Sequence, residues 1–159
     1  MKLRKWIEKW DMTSLKINVK FLEMEWSPNT ADQDAAWELY IEMLTRSATQ
    51  YLAPEDGDEE AGLDSIHQLF GITRSILREH GRDCVTFSRI AVVALNQVIR
   101  PFTSKWHRIA KTDGFGDREN RLEFRKELAA LQADLRKYTT ALADIASVED
   151  LTGFEAKDG

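Results

Sequence analysis

The sequence predicts a mainly all-α protein: an antiparallel four- to five-helix bundle with an N-terminal amphipathic helix and one extended segment. Three observations carry that expectation. Phe124, Leu128, Leu131, Leu135, Tyr138, Leu142 and Ile145 form a heptad seam, the strongest periodic signal in the chain. Shorter apolar stripes of helical spacing occupy most of the chain before it. Only one stretch alternates as a strand does, with Leu15, Ile17, Val19 and Phe21 on one face and Lys16, Asn18 and Lys20 on the other.

Taken in order, Met1 to Trp10 reads as a short amphipathic helix. Leu3, Trp6, Ile7 and Trp10 share a stripe, and Lys2, Arg4, Lys5 and Lys9 lie on other faces. Asp11 to Ser14 breaks the pattern before the alternating run. At Phe21 and Leu22 the alternation changes phase and continues through Met24 and Trp26, so a strand here needs a bulge or an end. Ser27-Pro28-Asn29 closes this N-terminal arm, residues 1–28.

Residues 29–147 make the bundle. Thr30 and Gln33 have capping-box spacing and open a helix whose stripe holds Trp37, Tyr40, Ile41, Leu44 and Ala48. Ala53 to Glu60 is an acidic loop. The next helix buries Leu63, Ile66, Phe70, Ile76 and Leu77, is weakened by Gly71 and stops at Gly81. A third begins near Thr86 and carries Ile90, Ala91, Ala94, Leu95, Val98 and Ile99. Pro101 must kink it or start another helix. The loop Thr112 to Gly116 precedes the heptad helix, which is short enough to favour packing within the chain over a dimeric coiled coil. Residues 148–159 form a flexible tail.

At 159 residues the chain reads as one domain able to bury roughly two-thirds of its unfolded surface. A hydrophobic fraction of 43% and a charged fraction of 31% describe a folded globular protein. The net charge of −5 opposes broad affinity for nucleic acid but leaves room for a local basic patch. A single cysteine, Cys84, rules out an internal disulfide framework and fits a reducing cytoplasm. No secretory pattern or bilayer-spanning apolar run is visible, so the expected location is cytoplasmic.

Chemical motifs are sparse. Asp64-Ser-Ile-His67 is one relative of the Glu-x-x-His pairs used by di-iron bundles, without a second copy. His80 and Cys84 straddle Gly81 and lack companions in sequence for a zinc set, so neither a metal nor a cofactor is expected. Cys84, beside Val85 and Phe87, reads as a buried thiol rather than a nucleophile. Gly114-Phe-Gly116 lacks the strand and the Lys-Ser/Thr of a phosphate loop.

Two arginine–histidine spacings stand out, Arg100-Pro-Phe-Thr-Ser-Lys-Trp-His107 and Arg74-Ser-Ile-Leu-Arg-Glu-His80. They resemble the Arg-x4–6-His motif of HEPN-family ribonucleases, small helical domains that often dimerise. That resemblance implies a metal-independent ribonuclease in which Arg100 binds the scissile phosphate and His107 moves the proton of the 2′-hydroxyl. The family usually has Asn, Asp or His after the arginine, whereas Pro101 and Ser75 stand here. Arg100, Lys105, His107, Arg108 and Lys111 form a basic stretch interleaved with Phe102 and Trp106. It suits RNA if those rings face outward, and a solvated helix face if Phe102, Trp106 and Ile109 turn inward. The stretches Ala35 to Arg46 and Asn96 to His107 also resemble uncharacterised small helical bacterial proteins, some in defence-type gene clusters. No site residues come with that likeness.

The leading functional expectation is a non-catalytic interaction module, a homo-oligomer or small subunit of a larger assembly. Its partner-binding residues are Trp6, Trp10, Leu15, Ile17, Val19 and Phe21, because an unpaired strand and a tryptophan-rich arm call for a partner. The first alternative is the ribonuclease using Arg100 and His107. The second is a peripheral membrane protein attached through residues 1–10.

Overall fold

A computed structural model describes residues 1–46 and 58–154. The elements are α1 (Leu3–Lys9), a single helical turn α2 (Val19–Leu22), α3 (Thr30–Thr45), α4 (Glu59–His80), α5 (Val85–Ala94), α6 (Arg100–Ala110) and α7 (Arg118–Ala146). A wide π turn, Leu95–Ile99, joins α5 to α6. The fold is all-α, and no strand occurs among the described residues.

The expected strand is therefore corrected. Asn18 accepts a bond from the Lys20 amide at 2.8 Å and starts the turn Val19–Leu22. Alternation over so few apolar residues does not separate a strand from a short helix, and a local side-chain cap decides here. Extended pairing survives only as one bridge between Lys2 and Glu25. The backbone at Lys16 is satisfied by a side chain: its N–H donates to Gln97 Oε1 at 2.6 Å, and its C=O accepts from Gln97 Nε2 at 2.6 Å. One amide thus does for Lys16 what a neighbouring strand would do.

Two carboxylates anchor the helices. Asn29 and Asp32 form a capping box at the start of α3, one residue before the predicted position. Asp32 is buried, and its Oδ1 also accepts the Phe87 amide in the first turn of α5 at 2.8 Å. One side chain fixes two helix N-termini, where negative charge is favoured. Asp58 caps α4, and Gly81 ends it with φ of 66°, a conformation that glycine adopts without steric cost. The predicted acidic loop Ala53 to Glu60 and the stripe residue Ala48 fall largely or wholly outside the described residues.

Every residue of the heptad seam is buried, and α7 packs along α3. Pairs Glu38–His80 and Arg46–Gln68 show α3 and α4 running in opposite directions. Lys105 and Trp106 of α6 meet Glu127 of α7. Pro101 lies in the first turn of α6 and cannot donate an N–H back into the π turn that runs into it. After α7, Tyr40 Oη accepts the Leu151 amide at 2.7 Å and donates to the Glu149 carbonyl. Among the described residues no helix is long and apolar enough to cross a membrane.

Candidate functional site

The arm splits into a docked part and an exposed part. Trp6 and Trp10 both donate their indole N–H to Asp144 Oδ2 on α7, at 2.6 and 3.2 Å, and Lys9 approaches the same carboxylate. Trp6 is buried and stacks on Trp26 with ring centroids 3.9 Å apart. Their tryptophan surface is directed into the chain's own helices. Leu15 and Ile17 are half-buried, whereas Val19 is 66% exposed and Phe21 is 40% exposed.

Of these residues, Ile17 and Phe21 border a groove of about 500 Å³ between the arm and α5, lined also by Leu3, Val85, Val92 and Val93. Val85 and Val92, two turns apart on one face of α5, are 47% and 43% exposed. Arg82 and Arg89 form the polar rim with Ser88, and the Arg89 guanidinium lies 5.0 Å from the Phe21 ring centre. The sequence reading named the arm side of this groove and missed the α5 side. The i, i+7 spacing of Val85 and Val92, opposite the buried Phe87, Ile90 and Ala94, was the available signal.

A larger groove of about 930 Å³ separates α3 from α4. Trp37 and Ile41 line one wall, and Arg74, Ser75 and Gly71 the other. A side-chain carbon added at Gly71 would meet nothing within 4 Å, so this glycine leaves space open. Glu38 and Glu79 lie at one end, and His80 Nε2 sits 2.9 Å from Glu38 Oε1. The other end holds Arg46, Gln68 and His67.

His67 links that groove to α6, its ring meeting His107 edge-on with centroids 4.7 Å apart. Burial pushes the His107 imidazole below its ordinary range; His67 and Lys111 add to this, and Asp64 opposes it. Arg100 and His107 share a face of α6 but are separated by about 10 Å of helix rise. The Arg100 guanidinium rests on the Phe70 ring at 4.8 Å, and its Nε donates to Asn96. Arg100 and His107 thus rest on neighbouring rings of α4, Phe70 and His67, whose centroids are 5.6 Å apart. Phe102 and Trp106 are buried, and Lys105 is engaged by Glu123 and Glu127. The basic stretch thus presents no stacking rings, as the inward-facing alternative expected. Cys84 is fully buried, with its thiol donating to the Gly81 carbonyl.

No family model matches the chain, and no curated protein or solved structure matches it significantly.

Proposed function

We propose that the chain is a non-catalytic helical interaction module, built on an antiparallel bundle and self-associating or joining a larger cytoplasmic assembly. The observation that carries this reading is the apolar groove between the arm and α5. Phe21, Val85 and Val92 are large apolar side chains left open to water around it. A contiguous apolar surface with a charged rim is the usual make-up of a protein-binding patch. The membrane alternative loses support, because Trp6 and Trp10 are hydrogen-bonded to Asp144.

Self-association is tested by sedimentation equilibrium of the unmodified protein and of Val92→Asp. The expected result is an oligomer that Val92→Asp dissociates without loss of helical signal or thermal stability. A wild-type monomer over the whole micromolar range refutes self-association. An oligomer untouched by Val92→Asp refutes this groove as its interface.

One observation favours the ribonuclease as a second reading: His107 is held toward its neutral, proton-accepting form beside a second imidazole. It predicts RNA cleavage that His107→Ala abolishes while the fold is kept. Intact RNA after incubation with the wild-type protein refutes it.

A further inference from the structure

We infer that Glu38, Glu79 and His80 form a binding site for a divalent transition cation of the zinc class, clipping α3 to the end of α4. The inference is independent of the arm and goes beyond the interaction reading. One ligand atom from each of the three side chains lies within 4.8 Å of the others. Glu38 Oε1 and His80 Nε2, at 2.9 Å, already stand about as far apart as neighbouring ligands on one metal ion with bonds of about 2.1 Å. Glu79 is exposed, and one of its carboxylate oxygens lies within 4.8 Å of the other two ligand atoms.

The donor chemistry fits a borderline cation: one imidazole with two carboxylates suits zinc better than calcium or magnesium, which take oxygen alone. Two negative charges and the carbonyl end of α4 supply a favourable potential. His80 is held firmly, with its side chain only 14% exposed. Three protein ligands leave a coordination position open, and Glu38 and Glu79 both line the wall of the 930 Å³ groove. Motif spacing could not show this site, because Glu38 lies 42 residues before His80.

A plain Glu38–His80 ion pair would account for part of the arrangement, but it has no need of Glu79. The test therefore turns on Glu79→Gln. Tag-free protein, freed of metal with a chelator and then titrated with Zn²⁺ and Co²⁺, is followed by calorimetry, visible absorption and thermal unfolding. The expectation is one cation per chain and a midpoint raised by roughly 5–10 °C at a hundredfold excess over Kd. Glu79→Gln should bind at least about tenfold more weakly while unfolding, without metal, at the wild-type temperature. His80→Gln should also lose the Co²⁺ spectrum. The inference is overturned by a wild-type protein that takes up no stoichiometric cation or by Glu79→Gln binding as wild type. It is equally overturned if uptake survives both variants and disappears in His107→Ala.

Discussion

Replacing Asp144 by alanine should loosen the arm by a calculable amount. Trp6 is 1% exposed, and Asp144 accepts its indole N–H at 2.6 Å. Removing the carboxylate strands that donor, at a cost of about 1–3 kcal/mol. Trp10, half-buried and at 3.2 Å, should add about 0.5–1 kcal/mol, since water can partly replace the acceptor. Lys9, at 3.7 Å and half-exposed, adds about 0–0.5 kcal/mol after solvent screening. The sum is about 1.5–4.5 kcal/mol, or roughly 3–18 °C in melting temperature for a chain of this size. Urea unfolding followed by tryptophan fluorescence gives the loss directly. A double-mutant cycle with Trp6→Phe should return a coupling of about 1–3 kcal/mol, because Phe keeps a ring against Trp26 but cannot donate. A loss below about 0.5 kcal/mol, or a cycle without coupling, would refute the claim that Asp144 holds the arm.

Other perturbations probe the rest of the frame. Asp32→Ala removes the acceptor of both the Asn29 and Phe87 amides and should cost about 3 kcal/mol, measured by denaturant unfolding. Gly71→Ala should stabilise by about 1 kcal/mol, since the added carbon meets no neighbour and alanine suits a helix interior. Gly114→Ala should instead destabilise by about 2–3 kcal/mol, because its Cβ would fall 2.5 Å from the Ile109 carbonyl oxygen. The folded His107 imidazole is harder to protonate than the unfolded one, so its contribution is complete above about pH 6.5. Stability should fall as the pH drops below that value toward the folded pKa, and His107→Gln should flatten this part of a melting-temperature profile.

The long helices were legible because their apolar positions repeat over many turns. The seam from Phe124 to Ile145 is buried throughout, as its spacing required. Gly81 stopped α4 where a positive φ was needed. The arm was misread because Leu15 to Phe21 is too short for its period to decide, and the deciding contacts come from afar. Gln97 lies 81 residues from Lys16, and Asp144 lies 138 residues from Trp6. Pattern carries no information about such partners. The same holds for the side-chain clusters: Asp64 and His67 were visible as neighbours on α4, but His107 meets His67 only through packing of α4 against α6. Trp106 could turn either way by pattern; its burial against Phe115 and Phe124, with the indole donating to Glu127, depends on partners outside α6.

The π turn between α5 and α6 decides which face of α6 meets the core. Its closing bond runs from the Arg100 amide to the Leu95 carbonyl, so this turn holds one residue more than an α-helical turn. Asn96 and Gln97 are exposed, and many side chains would be accepted at Asn96. Tightening this turn to α-helical spacing with every residue kept would make a smoother helix and a worse protein. Everything downstream would rotate by about 100° against α5, swinging Phe102 and Trp106 away from Phe124. What the segment contributes is the absorption of one residue, and the phase of α6 depends on it.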